Sequence, residues 1–283
     1  MAPVPSWATA VTLALGVAVT GWRAGALTPS GAVAAALVGA LVFGAGGLPW
    51  AVLLVGFFVS GSGLTVWRRR VRGDGRPGGR AGGRDARQVL ANGGVAAVAA
   101  VLRLVAETHP AQLAAGSGMP TAWAYHALVA GSLAAMTADT WATEVGVASG
   151  RIPVSIIGGR PVEPGRSGGV TAPGTAAGTA GAALMATLTW GMLRSPTLAW
   201  GALVGGVSGM LLDSLMGAAW QGRWRCQGCG RAVERPRRHR QSCTGPLRLE
   251  GGRPWLDNDG VNALASAAGG LVAVAATALA GVT

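Results

Sequence analysis

The feature that most constrains this chain is a succession of long apolar runs. A helix needs about 20 mostly apolar residues to cross a bilayer, and eight segments approach that length. Half of the residues are hydrophobic and 12% are charged, about half the charged fraction of a typical soluble protein. We therefore predict an all-α, polytopic integral membrane protein, with one transmembrane domain over residues 1–283. The predicted spans are 6–21, 31–47, 49–67, 88–106, 122–145, 170–193, 197–216 and 260–281.

The arginines predict how these spans are oriented. All but Arg103 and Arg194 of the 23 basic residues fall in alternate inter-span segments, with the largest groups in 68–87, 151–166 and 223–253. Because positively charged loops stay in the cytoplasm, we expect a cell (inner) membrane protein with these loops cytoplasmic and both termini outside. The net charge of +12 is thus interpreted as membrane topology, and no nucleic-acid partner is expected. The N-terminus has no basic segment, so no cleaved signal peptide is expected.

The carboxylates predict a polar site on the same side. Every acid except Glu107 lies in an arginine-rich segment or at the end of a span next to one. For acids within the loops, the simpler interpretation is that they neutralise neighbouring arginines. Asp139 and Asp213 instead follow long apolar runs, and carboxylates at membrane depth are costly and usually functional. We therefore predict that Asp139 and Asp213 belong to a shared site at the inner interface.

The stretch TADTWATEVG, residues 137–146, closes the fifth predicted span. On an ideal helix Asp139 and Glu144 lie about 140° apart around the axis, whereas Thr140 aligns with Glu144. Either the helix breaks near Gly146, or the two acids serve different partners. Such oxygen ligands suit Mg²⁺, which keeps several waters and binds few carboxylates. We predict Asp139 as a metal ligand, with Glu144 as a second acid of the site.

The stretch LDNDGVN, residues 256–262, opens the last span. Asp257 or Asn258 can cap the helix. Asn258 and Asp259 each align with Asn262 within the first turn. A cluster of this size exceeds what a cap needs, so we predict that it binds Mg²⁺, ribose, or phosphate through the metal.

A glycine-rich loop leads into the sixth span. Gly168 and Gly169, followed by Thr171, resemble a phosphate cradle at a helix N-terminus, where free backbone N–H groups attract anions. Close helix packing is an equally good interpretation of the glycines in this region.

A polar stripe enters the fourth span in GRDARQVLANGG, residues 83–94. Arg84, Gln88 and Asn92 fall at four-residue steps and therefore share one face. Arg84 or Arg87 can clamp phosphate oxygens bidentately. We predict that this stripe binds an anionic head group.

The pattern Cys226-x2-Cys229-x9-His239-x3-Cys243 lies in the loop before the last span, over residues 217–257. Its ligand types and number fit a four-coordinate Zn²⁺ site, and three cysteines in a cytoplasmic loop are no disulfide framework. We predict a loop insertion with a structural zinc knuckle. The alternative is that its flanking arginines contact anionic lipid or nucleotide.

Five stretches together carry a family resemblance over residues 20–280. They are GRDARQVLANGG, ADTWATEVG, GGVTAPGT, DSLMGAAWQGRW and DNDGVN. In this order they resemble the integral-membrane family known as domain-of-unknown-function family 92, which includes transmembrane protein 19 and the chloroplast phytyl-phosphate kinase. The resemblance implies an all-helical membrane protein. It also implies phosphorylation of an isoprenyl monophosphate by a nucleoside triphosphate, and a distant similarity to CTP-using lipid enzymes.

Together, these expectations predict a lipid kinase. We expect phosphoryl transfer from a CTP-like nucleoside triphosphate to an isoprenoid lipid phosphate at the cytoplasmic interface, with Asp139, Asp213 and Asp259 holding Mg²⁺ and Glu144 completing the catalytic set. The chain has no lysine, so a Walker-type phosphate lysine is excluded. A CTP-dependent cytidylyltransferase making a CDP-lipid, a lipid or small-solute transporter, and a zinc-bearing scaffold are the alternatives. Acids gathered at one face favour interfacial chemistry over a transport path.

Overall fold

The computed structural model describes residues 6–73, 83–108, 122–230, 232–233, 239 and 243–281. Arg76 and Arg80, part of the predicted arginine-rich segment 68–87, lie outside the described residues, as does much of 231–242. Within the described parts the chain forms seven helices. They are α1 (Trp7–Arg23), α2 (Pro29–Arg72), α3 (Ala86–Thr108), α4 (Ala122–Ala148), α5 (Ala172–Leu193), α6 (Pro196–Ala219) and α7 (Asn258–Leu279).

Helix α2 is a hairpin of two helical segments. Gly47, near its midpoint, has φ 62° and ψ −157°, a conformation that glycine adopts without the penalty that a side chain would bring. Gly31 in the first half and Gly61 in the second half both approach Arg84, so the two halves lie side by side. The break falls between the second and third predicted spans.

Five of the described helices, α2, α3, α5, α6 and α7, are long and apolar enough to cross a membrane. Helix α1 has 17 residues, slightly fewer than the about 20 of a typical membrane span. Helix α4 is longer, at 27 residues, but it contains His126, Asp139 and Glu144. With α2 divided at Gly47, the described chain has eight helical segments. How many of these segments cross the membrane stays a prediction.

Helix α4 is the centre of the bundle. It packs against α2, α3, α5, α6 and α7. Val129, Leu133 and Met136 are almost wholly buried, as expected of a helix that is apolar on all faces. The same helix continues without a break to Ala148, so its last turns carry Asp139 into the packed end of the bundle.

Small residues bring the surrounding helices close together. A Cβ atom on Gly178 of α5 would lie 2.8 Å from the Ala138 carbonyl oxygen, and one on Gly174 would lie 2.7 Å from the Ala142 oxygen. This close contact along α4 is the packing role that small residues have in membrane helices.

The arginine-rich segments meet at one end of the bundle, which we name the arginine-rich end. There the Arg72 guanidinium Nε donates to the Val147 carbonyl at 2.9 Å. The Arg84 backbone N–H donates to Ala26, also at 2.9 Å. The first contact joins the end of α2 to the end of α4, and the second joins the start of α3 to the segment between α1 and α2, so these segments lie at one end, as the alternation of arginines predicts. The compartment that this end faces stays a prediction.

The loops at this end contain short strands, which the prediction of an all-α fold missed. Strands β1 (Val154–Ser155) and β2 (Gly169–Val170) are antiparallel. Strands β3 (Arg223–Cys226), β4 (Ala232–Val233) and β5 (Leu247–Gly251) form an antiparallel sheet in the order β4-β3-β5. The strands are two to five residues long, too short to show an alternating pattern in the sequence.

Candidate functional site

A cavity of about 150 Å³ opens at the arginine-rich end. We name it the carboxylate cavity, because Asp139 of α4 and Asp213 of α6 both line it. Asn258, the first residue of α7, also contributes to its wall. The remaining lining includes three arginines and the glycine loop. These residues are Arg72, Arg151, Arg166, Gly168, Gly169 and Thr171.

The structure brings Asp139 and Asp213 together, as the sequence predicts. They lie close enough for their charges to interact. Two neighbouring carboxylates repel each other when both are ionised, and a divalent cation between them removes that repulsion. The donor set of two carboxylates, with the Asn258 amide in the same cavity, fits Mg²⁺, which binds through few carboxylates and retains water.

An asparagine network holds Asp213 from the opposite side. In the orientation that satisfies the carboxylate, the Asn262 amide nitrogen donates to Asp213 Oδ2 at 3.1 Å and to the Asn258 carbonyl at 3.0 Å. The Asn262 amide oxygen then faces the Asn92 side chain at 3.1 Å. Asn92 belongs to α3 and is buried. The network therefore connects the predicted stripe of α3 with the cluster of α7 and with Asp213.

The glycine loop forms the outer wall of the carboxylate cavity. Gly168 has φ 78°, and a Cβ atom there would lie 2.6 Å from the Ala218 backbone nitrogen, so glycine is required. Thr171 caps α5, because its hydroxyl accepts from the Gly174 N–H at 3.1 Å. The first turn of α5 faces the cavity through Gly174 and Thr175. The Gly174 and Thr175 N–H groups are taken by the Thr171 hydroxyl and carbonyl, so this turn attracts phosphate through the positive end of its dipole.

Glu144 lies apart from the carboxylate cavity. The Thr65 hydroxyl donates to Glu144 Oε1 at 2.7 Å, and the Arg68 guanidinium pairs with Oε2 at 2.5 Å. Both partners come from the second half of α2. Of the two explanations that helix geometry allows, the structure supports different partners for the two acids, since α4 does not break. Thr140 likewise packs beside Gly61 of α2.

The two acids at the start of α7 are placed differently from each other. Asp257 is the helix cap, accepting from the Gly260 N–H at 3.0 Å. It also pairs with Arg87 at 3.2 Å. Asp259 lies in the first turn of α7 but is not among the residues that line the carboxylate cavity. Arg87 therefore pairs with Asp257 and does not line the carboxylate cavity.

A second cavity, of about 560 Å³, lies between α1, the two halves of α2 and α3, with Leu188 of α5 also on its wall. We name it the apolar groove. Leu13, Val38 and Phe43 are among its lining side chains, and its polar residues are the predicted stripe of Arg84, Gln88 and Asn92.

The Arg84 side chain is fixed at the polar end of the groove. Its guanidinium lies 5.5 Å from the ring centre of Phe57 and 5.6 Å from that of Phe58. It donates to the Ser62 hydroxyl at 3.1 Å. Asn92 belongs to both the groove and the asparagine network, so the groove and the carboxylate cavity are adjacent.

Sequence reasoning missed the rim arginines Arg72, Arg151 and Arg166 as site residues. Their only signal was membership of arginine-rich loops, which topology already explained. The groove was also missed, because residues from five separate helical segments build it.

The four Cys/His side chains predicted to bind zinc come together. Their ligand atoms all lie within 4.8 Å of one another. Burial opposes ionisation of Cys226, but the N–H groups of Cys229 and Gly228 and the His239 ring lower the pKa of its thiol to about 6. Such a cluster of soft ligands is able to hold a metal.

A bundle of apolar helices with a polar site at one end defines the class as a polytopic integral membrane protein. The chain belongs to the family described as integral membrane protein DUF92, whose family model matches residues 12–270. This confirms the resemblance carried by the five sequence stretches.

Two relatives are similar to this chain. The Arabidopsis thaliana Protein PGR is 31% identical over 270 residues, which cover 89% of this chain and 90% of that protein. An uncharacterized membrane protein of Methanocaldococcus jannaschii is 36% identical over 90 residues, which cover 32% of this chain and 38% of that protein. No solved structure gives a significant match.

Proposed function

We propose that this protein is a Mg²⁺-dependent membrane phosphotransferase that moves a phosphoryl group from a CTP-like nucleoside triphosphate to an isoprenoid monophosphate. The observation that carries this proposal is the adjacency of two unlike cavities. An apolar groove ends in Arg84, Gln88 and Asn92, and Asn92 lies 3.1 Å from the amide oxygen of Asn262, whose amide nitrogen donates to Asp213 of the carboxylate cavity.

The apolar groove suits a lipid tail with an anionic head. Its walls are almost wholly hydrocarbon, and its charged side chain is Arg84. A guanidinium binds phosphate oxygens through parallel N–H donors. Since aromatic rings surround Arg84, the local dielectric is low and the attraction to a phosphate is stronger than in water. A prenyl monophosphate satisfies both parts of the groove.

The carboxylate cavity suits the polyphosphate of a nucleotide. Asp139 and Asp213 would hold Mg²⁺, which supplies charge neutralisation between the two phosphate groups. Arg72, Arg151 and Arg166 on the rim offset further negative charge, and the positive end of the α5 dipole adds to this attraction. Positioning and electrostatic stabilisation of this kind account for most of phosphoryl-transfer catalysis.

The reaction needs no strong base in this arrangement. An oxygen of the lipid monophosphate is already ionised and attacks the γ-phosphorus. The bond from that phosphorus to the β-phosphate oxygen breaks, leaving a nucleoside diphosphate and a lipid diphosphate. Arg84 and Asn92 orient the acceptor, and Asn262 holds Asp213 in place. Glu144 acts outside the reacting groups, as the anchor of α4 to α2.

The test is product analysis with purified protein in lipid nanodiscs. Prenyl alcohols and prenyl monophosphates are supplied with Mg²⁺ and with CTP, ATP or GTP, each labelled at the α- or γ-phosphate. We expect γ-label in the lipid product from a monophosphate acceptor, and loss of that transfer in Asp139→Asn. Transfer of α-label with release of pyrophosphate would instead identify a cytidylyltransferase. No turnover of any nucleotide, with any acceptor, would refute an enzymatic role.

A further inference from the structure

Two edges of the Cys/His cluster have the length expected between ligands of one metal ion. Cys226 Sγ lies 3.6 Å from Cys243 Sγ, and Cys229 Sγ lies 3.6 Å from His239 Nε2. Zinc–sulfur bonds of about 2.3 Å and a zinc–nitrogen bond of about 2.0 Å give tetrahedral edges of roughly 3.5 to 3.8 Å. A disulfide requires sulfurs about 2.05 Å apart. These two separations fit one shared metal, and all four ligand atoms lie within 4.8 Å of one another.

The backbone around the cluster is arranged to support thiolates. The N–H groups of Gly228 and Cys229 point to Cys226 Sγ, and the Gly245 N–H points to Cys243 Sγ. A Cβ atom on Gly245 would lie 2.9 Å from Cys226 Sγ and 2.9 Å from the Gly228 Cα atom, so the two cysteine-bearing turns touch at glycines. Hydrogen bonds to the ligands are a regular part of protein metal sites.

The lobe around the cluster has little else to hold it together. Its sheet has strands of four, two and five residues. Its buried apolar side chains among the described residues include Cys226 and Val233. Sheets of this size need a further source of stability, and a structural zinc ion supplies folding free energy directly.

The same lobe is attached to the outer wall of the carboxylate cavity. Strand β3, which ends at Cys226, begins at Arg223, whose guanidinium donates to the Ala218 carbonyl at 2.9 Å. Ala218 in turn lies against Gly168 of the glycine loop. The lobe thus shares with the loop the last turn of α6, the helix that carries Asp213.

Charges join the lobe to the loop at a second place. Arg225 and Glu250 form an ion pair on the sheet. Glu163 of the loop is close enough to attract Arg225 electrostatically. Arg166 of the loop attracts Glu250 in the same way. These four side chains line one opening between the sheet and residues 163–166. Arg225 and Glu250 of the sheet therefore each have an opposite charge of the loop nearby.

We propose that Cys226, Cys229, His239 and Cys243 hold a structural Zn²⁺, and that the zinc-bound lobe fixes the loop 163–171 over the carboxylate cavity. Metal occupancy then controls how firmly the cavity retains a nucleoside triphosphate. The zinc site and the ordering of the loop stand independently, whereas the effect on nucleotide rests on the proposed function.

The first test measures metal content and loop protection in the full-length protein. We expect one zinc per chain by elemental analysis, loss of zinc in Cys229→Ser, and retention of zinc in the control Gln227→Ala, whose exposed side chain lies between two ligands. After a chelator, wild-type protein should be cleaved by trypsin after Arg166, which Ser167 follows, several-fold faster, and added zinc should restore protection. Purified protein without zinc, or cleavage that zinc does not change, would overturn the proposal.

The second test measures binding of a fluorescent CTP analogue to zinc-loaded and chelator-treated wild-type protein. We expect several-fold weaker binding after zinc removal and recovery when zinc is added back. Equal affinity in both forms would overturn the coupling to the cavity. If neither form binds any nucleotide, the proposed function fails, while zinc content and trypsin protection still decide the zinc site and the loop.

Discussion

The asparagine network gives the sharpest quantitative prediction. Leucine has nearly the shape of asparagine but no polar atoms, so Asn262→Leu removes the donor that lies 3.1 Å from Asp213 Oδ2 without opening a cavity. A hydrogen bond to a charged group contributes about 1.5–3 kcal/mol. If Asp213 must be ionised and fixed in the transition state, kcat/KM should fall by about 10- to 150-fold, at 1.36 kcal/mol per factor of ten.

The assay follows γ-label transfer to prenyl monophosphate over a range of Mg²⁺ concentrations. We expect the concentration of Mg²⁺ for half-maximal rate to rise, because a misplaced Asp213 is a poorer ligand. Ser266→Ala is the matched control. Ser266 lies one turn further along the same face of α7 and is wholly buried. Its hydroxyl has no hydrogen-bond partner among the described residues, so its removal should leave the rate unchanged.

The result that refutes this reasoning is equally specific. If Asn262→Leu folds with unchanged thermal stability and keeps its rate and Mg²⁺ dependence within about twofold of wild type, the network does not position a catalytic carboxylate. If Ser266→Ala loses activity to the same extent, the effect belongs to packing of α7 and not to Asp213.

Other substitutions separate the roles of neighbouring residues. Glu144→Gln weakens the Arg68 pair and should lower stability by about 1–3 kcal/mol, measured by thermal unfolding in detergent, with kcat nearly unchanged; Asp139→Asn should abolish transfer and leave the fold intact. Arg84→Met should raise KM for prenyl monophosphate more than tenfold while nucleotide affinity stays constant, and an unchanged lipid KM would remove Arg84 from the site. Gly168→Ala should destabilise the loop by at least about 1–2 kcal/mol, since its φ of 78° is left-handed, and should weaken nucleotide binding in a direct titration.

Features set by local geometry could be predicted from the sequence. The angle between Asp139 and Glu144 follows from the helical repeat alone, and the two acids do have different partners. The division of α2 at Gly47 follows from a glycine and a proline between two apolar runs. The arginine-rich end follows from the alternation of charge, which needs no knowledge of which helices touch.

Features set by the order of helices in the bundle could not be predicted. Asn92 and Asn262 are 170 residues apart, and no local pattern indicates that α3 and α7 are neighbours. The same limit applies to Glu144, whose partners Thr65 and Arg68 lie on another helix. Arg87 pairs with Asp257 and not with Asp259. This pairing also depends on the position of the start of α3, which carries Arg87.

The position of the groove implies where lipid selectivity arises. Leu13, Val17, Leu48 and Val59 line the groove yet are largely exposed on the bundle surface, so in a membrane the groove opens sideways to the acyl chains. A tail longer than the groove can therefore extend into the bilayer without losing apolar contact. The head group has no such freedom, because Arg84 and Asn92 stand at a fixed distance from Asp213. Under the proposed function, the acceptor phosphate should decide which lipids react, and prenyl monophosphates of different lengths should differ far less in kcat/KM than a monophosphate and its alcohol.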